Sequence, residues 1–272
     1  MKRIPKIISS VLLALLLVLT LFPFYLLIIN SFKVQADIIK TPFTLPSIFH
    51  LENYAKAWPQ VVKPMLNSFL VTIAVVVFTL VVSSLASYAF MKYRKFRGKE
   101  ALYYGIIALL MVPGFVMLIP QFVQITRLGL YNTYWGLILP QAAYQVAMGT
   151  FLLRTSMEAI PRSMIECAEI EGAGDLTILT RLVLPLSKPT LATVLIMTGL
   201  GTWNNYNWPL VATTDERKQV ISLALTKLVV SVQEGNGVLF AAYIIASLPL
   251  VILFCFASKH FVAGITRGAV KG

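Results

Sequence analysis

The chain has 272 residues, of which 58% are hydrophobic and 12% charged, with 23 Lys and Arg against 11 Asp and Glu. Soluble domains carry roughly a quarter of their positions charged, so a soluble globule is excluded. Every charge lies outside six charge-free windows, at 7–32, 64–91, 101–126, 128–153, 189–214 and 235–258, each longer than the ~20 residues a helix needs to cross hydrocarbon. The sequence therefore predicts an all-α integral membrane protein with six transmembrane helices in a single domain over 1–272.

The first window follows Lys2, Arg3 and Lys6. Cleavage after Ala36 is conceivable, but the apolar stretch exceeds the roughly 7–15 residues of a signal core, so an uncleaved anchor helix is expected. Residues 33–63 then read as an external loop with Pro42, Pro46 and Pro59, and with a short interfacial helix at His50–Tyr54. Residues 92–100 form a basic turn between the second and third helices. The third and fourth meet around Arg127–Asn132, flanked by Tyr131, Tyr134 and Trp135. Alternate loops divide the Lys and Arg residues 15 to 8, the larger share on the side of the N-terminus, which predicts cytoplasmic N- and C-termini. The net charge of +12 is then mostly topology, and nucleic acid is not an expected partner.

Pro23, Pro113, Pro120, Pro140, Pro209 and Pro249 all fall inside windows, where they predict kinks. No ionisable residue lies in any window, which argues against proton relay. There is no phosphate-binding loop, no H-E-x-x-H and no G-x-S-x-G, so no catalytic residue, metal ligand or resident cofactor is expected. Any uphill transport must draw its energy from another chain. Cys167 and Cys255 would lie at different depths and form no framework; His50 and His260 are isolated.

The longest inner interval, 154–188, holds five of the eleven acids: Glu158, Glu166, Glu169, Glu171 and Asp175. Pro161 suits a helix start and Gly172 a left-handed stop. A second short helix, with Asp175 as cap, is expected to run to Leu184 and end at Pro185. The segment 158–186 thus reads as helix, tight turn, helix. Ile165, Ala168 and Gly172 share one face of the first helix, with Glu166 and Glu169 on the next. Two acids beside a small-residue face suit a basic groove on a partner; a solvated acidic surface is the alternative, and no histidine at ligand spacing supports a metal.

In the fifth window, Trp203, Asn204, Asn205, Tyr206 and Asn207 put amides and aromatics at membrane depth. On one continuous helix Trp203 and Asn207 would share a face. Amides pair with hydroxyls and an aromatic face covers a sugar ring, so these residues are candidates for a substrate pathway. Hydrogen bonding between helices is the alternative. Gln121, Gln124, Gln141, Tyr144 and Gln145 are further lining candidates.

The run Glu166-Cys167-Ala168-Glu169-Ile170-Glu171-Gly172-Ala173, with Leu182-Val183-Leu184-Pro185-Leu186 after it, resembles the E-A-A-x-x-x-G…I-x-L-P motif of permeases of binding-protein-dependent ABC importers. Cys167 and Glu171 depart from its commonest form. Trp203-Asn204-Asn205-Tyr206-Asn207-Trp208-Pro209-Leu210 is similar to the W-N-x-x-x-W-P-L of carbohydrate permeases, and Phe261–Gly272 to the ending of the maltose-permease-like branch. The resemblance implies a carbohydrate importer subunit in a bacterial or archaeal cytoplasmic membrane. Its implied partners are membrane lipid, a homologous second permease subunit, a dimer of cytoplasmic ATPases that use ATP and Mg, and an extracytoplasmic sugar-binding protein. Glu166, Ala168, Glu169, Gly172, Ala173, Leu184 and Pro185 match its ATPase-coupling motif. The tail 264–272, with Gly268 and Lys271, matches one that reaches the ATPases, and the external loop 212–237 matches one that faces the binding protein. An importer for another solute, such as a sugar phosphate or peptide, and an integral-membrane enzyme are the alternatives.

Overall fold

The computed structural model describes residues 3–93, 96–230 and 235–269, with side chains for 8–93, 96–230 and 235–255. All regular elements among them are helical. In chain order they are α1 (Arg3–Ser31), α2 (Gln35–Lys40), α3 (Glu52–Lys92), α4 (Lys99–Leu110), α5 (Gly114–Arg127), α6 (Tyr134–Glu158), α7 (Arg162–Ile170), α8 (Asp175–Ile178), α9 (Leu184–Leu186), α10 (Lys188–Trp203), α11 (Asn207–Ala212), α12 (Ile221–Val230) and α13 (Asn236–Ala269). Four helices, α1, α3, α6 and α13, are long and apolar enough to cross a membrane, and two bent pairs bring the number to six if each pair counts as one crossing.

The windows that break do so at identifiable residues. The third is α4 and α5, bent by 102°. At 12 and 14 residues, each piece rises only about 18–21 Å, short of a bilayer core. Pro113 causes the break: it stands extended at φ −60°, ψ 131°, donates no N–H and disfavours helix at Val112. The fifth window is also discontinuous. Helix α10 stops at Trp203, and the chain restarts as α11 at Asn207, with Pro209 in the first turn, where its missing N–H is harmless.

Two expected loops contain more helix than their composition suggested. Within 33–63, α2 takes Gln35–Lys40, and α3 begins at Glu52 and continues through Pro59 and Pro64 for 41 residues, about 60 Å. Within 212–237, expected to be solvated, lies the apolar α12, with Val220, Ile221, Leu223 and Ala224 buried.

The chain divides into two compact units. One comprises residues up to 65 with 223–248. In it every α1 side chain from Ile8 to Tyr25 is exposed, an apolar surface suited to lipid or to another membrane helix. The chain after α1 is knotted by hydrogen bonds: Asn53 Nδ2 donates to the Ser31 and Lys33 carbonyls at 2.8 and 3.0 Å, and the buried Lys33 Nζ donates to Thr41 O at 2.6 Å.

The other unit, 66–222 with the chain from 249, holds the candidate sites. Its apolar core gathers Tyr88 and Met91 of α3, Leu153 and Met157 of α6, Ile165 of α7, Ile178 of α8, Leu179, Val183 and Val194. Here α3 and α6 approach closely: a Cβ at Gly149 would lie 2.9 Å from Ser83 Oγ, and Ser87 Oγ donates to Thr150 O at 3.2 Å.

Candidate functional site

Two places in this second unit bring together the residues singled out in the sequence. The first is the segment from α7 to α9. Helix α7 starts after Pro161, which sits at its N-cap, and ends as the chain turns at Gly172 with φ +81°, a conformation that glycine adopts at little cost. The Ala173 N–H closes the turn onto Ala168 O at 2.9 Å. Gly174 caps α8, and Asp175 is its first residue rather than the cap.

Pro185 does not end the second helix, contrary to the expectation. Five residues, Leu179–Val183, take up a π-helical turn and the chain continues through Pro185 to Leu186. Such a turn shifts the backbone register, which accommodates the proline ring and its missing N–H. Leu182 and Leu184 pack at the edge of the core, while Leu186 is exposed.

Helix α7 is anchored by one face. Ile165 is buried and Ala168 packs against the core, whereas Glu166 is 52% exposed and bonded at 2.6 Å to Arg162 of its own helix. Ile170 at 86% and Leu176 at 69% are apolar side chains standing in the open on either side of Gly172. A groove of about 420 Å³ runs beside them, lined by Met164, Cys167, Ala173, Arg181 and Leu182 among others. Beneath, Lys92 at the end of α3 pairs with Glu169 at 3.1 Å and with Asp175, whose carboxylate also accepts from Tyr88 at 3.0 Å. The Lys92 ammonium, more than any other partner, holds the Asp175 carboxyl below its ordinary range.

The second place is the break between α10 and α11, beside a pocket of about 280 Å³ lined by Gly114, Phe115, Met117, Leu118 and Gln121 of α5, by Pro140, Gln141, Tyr144 and Gln145 of α6, and by Asn205, Asn207 and Trp208. Because the helix is interrupted, Trp203 and Asn207 do not share a face. Trp203 is buried edge-on against Phe69, 5.0 Å between ring centres, away from this pocket. Asn204 bonds back to Leu200 O at 3.0 Å. Tyr206 is half-buried and does not line the pocket.

Asn205 is the pin of the break. Its Nδ2 donates to Gln141 Oε1 at 2.9 Å, its Oδ1 accepts from the Trp208 N–H at 3.2 Å, and its carbonyl accepts from Ser222 Oγ at 2.8 Å. Trp208 is buried, with its indole N–H on Gly136 O at 3.1 Å. The sequence puts Trp208 beside the asparagines at membrane depth; its pocket position depends on the break, which the asparagine run and Pro209 signal together. Four of the five extra lining candidates line the pocket, and Gln124 does not.

Two further segments complete the picture. Asn132, in the left-handed region at φ 58°, gathers the 213–218 turn: its Oδ1 accepts from Thr214 N at 2.7 Å and from Thr213 Oγ1 at 3.1 Å, and Lys218 Nζ donates to its carbonyl at 2.6 Å. Asn67 holds the far side of the turn through the Arg217 and Gln219 carbonyls. Gly268 falls in the last turn of α13, and Lys271 lies outside the described residues. Among the described residues no three His, Cys, Asp or Glu side chains gather as a metal site.

Fold and sites together define a multi-pass, all-helical membrane protein with an anchored surface helix and an uncharged pocket at a helix break. Residues 83–267 match the family of binding-protein-dependent transport system inner membrane components, and the chain belongs to that family. It is a transport permease subunit that works with a binding protein, not an enzyme. It is 35% identical over 263 residues to a probable ABC transporter permease, YurM, of Bacillus subtilis, covering 96% of this chain and 87% of that one. It is 30% identical to the diacetylchitobiose uptake permease NgcG of Streptomyces coelicolor, covering 97% and 88%, and 30% identical to the trehalose/maltose permease MalG of Thermococcus litoralis, covering 100% and 98%. The fold superposes with TM-score 0.83 on a chain of a bacterial ABC transporter that imports the acidic polysaccharide alginate, at 25% identity, covering 95% of this chain and 97% of that one.

Proposed function

We propose that this chain is one of two different membrane subunits of an ATP-driven importer that receives sugars from a binding protein and passes them inward by alternating access. The observation that carries this is α7, fastened to the bundle by Ile165 and Ala168 while Ile170, Glu171 and Leu176 stand free around Gly172. The excess of Lys and Arg assigns that face, with both termini, to the cytoplasm. There a dimer of ATPases seats on the segment 158–186 through Glu166, Ala168, Glu169, Gly172 and Ala173, with Leu184 and Pro185 of α9 at its end. ATP and Mg are used in those partners, and this chain holds no cofactor. The tail with Gly268 and Lys271 reaches the same partners. On the opposite side the 213–218 turn, held rigid by Asn132, faces the binding protein.

A sugar is the cargo that fits the pocket chemistry. Gln121, Gln141, Gln145, Asn205 and Asn207 offer amide donors and acceptors without a charge, and Trp208 and Tyr144 offer aromatic surface. Phosphate calls for Arg or Lys, and neither lines this pocket. The names of the Streptomyces and Thermococcus relatives point to di- or oligosaccharides.

The test is uptake by proteoliposomes containing this chain, its sister subunit, ATPase and binding protein. With MgATP inside, accumulation of at least one of labelled maltose, raffinose or diacetylchitobiose is expected. Accumulation of a peptide or sugar phosphate and of none of these sugars would refute the sugar assignment.

A further inference from the structure

Among the described residues, the cation that ties the ATPase-facing segment to the end of α3 is Lys92. Lys92 is the last residue of α3, and its Nζ reaches Glu169 on α7 at 3.1 Å and Asp175 at the start of α8. One turn earlier on the same face, the buried Tyr88 hydroxyl donates to the same Asp175 oxygen. The helices on both sides of Gly172 are therefore tied to one end of one helix. The motif acid Glu166 contributes nothing to this tie, since its partner Arg162 is on its own helix.

Apolar packing alone leaves this joint loose. Ile165 and Ile178 rest on Tyr88 and Met91, but such contacts are non-directional and survive small slides. Between α7 and the end of α3 there is also a hollow of about 160 Å³, lined by Met91, Lys92, Tyr93, Ile165, Glu166 and Glu169 among others. Helix α7 has room to rock into it, and the Lys92 ion pairs bridge its rim.

We propose that Lys92 is a positioning residue that locks α7 and α8 to the C-terminal end of α3, so that a displacement delivered to α7 moves α3 with it. This rests on the reading of α7 as the ATPase contact. Lys92 then sets how much transport each ATP yields, without touching either nucleotide or cargo.

The experiment uses the full complex in proteoliposomes and compares Lys92→Met with Lys92→Arg. Three quantities are read: assembled complex, ATP hydrolysed with binding protein present, and labelled sugar accumulated, using whichever of maltose, raffinose or diacetylchitobiose the wild-type complex takes up. Lys92→Met is expected to assemble and hydrolyse ATP while sugar moved per ATP falls at least about fivefold. Lys92→Arg, which keeps the cation, is expected to recover most of the ratio. An unchanged ratio in Lys92→Met, or a loss of uptake accounted for wholly by reduced assembly, overturns the proposal. Gly172→Asp separates the layers: if it abolishes uptake while Lys92→Met has no effect, only the lock is wrong, and if neither variant changes the ratio, α7 is not the ATPase contact.

Discussion

The segment from α7 to α9 and the break between α10 and α11 are both interruptions of helix in the same unit, yet they are held by different chemistry. The first is tied by charge: Lys92 to Glu169 and Asp175. The second is tied by neutral amides and an indole: Asn205 to Gln141 and Trp208, and Trp208 to Gly136. Water next to the first keeps ion pairs inexpensive and individually weak. At membrane depth, freed backbone groups and amides must find partners within the protein, and an unpaired one is costly. The first region can therefore be loosened without unfolding the chain, whereas damage to the second threatens the fold.

The largest expected effect tests that contrast in the pocket region. Trp208→Ala removes a side chain that is 3% exposed, a loss of about 3–5 kcal/mol. Size-exclusion profiles in detergent are expected to show little monodisperse protein. In the coupling region, Gly172→Val strains a residue at φ +81° by about 1–2 kcal/mol, but a Cβ there meets open space. Normal membrane abundance with more than about tenfold loss of uptake is expected, and uptake near wild type would remove the functional weight placed on that turn.

A subtler change sharpens the role of the pocket. At Gly201 a Cβ would lie 2.9 Å from Gln145 Nε2, so Gly201→Ala displaces one lining amide. Thermal stability is expected to hold, because alanine is the better helix former. The sugar concentration for half-maximal uptake should shift about fivefold, the equivalent of one hydrogen bond of about 1 kcal/mol. The smallest effect lies at Asp215, whose carboxyl is held below its ordinary value of 3.8, first by the backbone N–H of Arg217 at 3.0 Å and further by the Arg217 and Lys218 side chains. A lowered folded value means that its contribution is full above that ordinary value and is lost as pH falls through the folded one. Asp215→Asn should lower the melting temperature slightly at pH 7, and the difference should vanish in strong acid.

Much of this architecture was legible because charge is so sparsely distributed. The windows at 7–32, 128–153 and 235–258 correspond to α1, α6 and α13, since each carries an uninterrupted apolar run. The windows at 101–126 and 189–214 are legible as membrane segments but not as broken ones: Pro113 announces a kink, while nothing in the local sequence sets the 102° angle between α4 and α5. Composition also misread α12, because Asp215, Glu216, Arg217 and Lys218 next to it dominate the local charge. Lys92 read as one of many topology charges, since its partners lie 77 and 83 residues further on and only folding brings them together. Trp203, at the end of α10, packs on Phe69 and lies outside the pocket at the break, a placement that a reading of 203–207 as one helix cannot supply.

The claim that α7 is the ATPase contact is tested most directly at Cys167, an exposed thiol in the middle of that helix. In inside-out vesicles bearing Cys255→Ser, the rate of Cys167 modification by a membrane-impermeant maleimide is measured before and after the ATPase is bound. Rapid labelling of the bare subunits and at least about tenfold protection by the ATPase are expected. Equal labelling with and without the ATPase, or labelling only in right-side-out vesicles, would contradict the account.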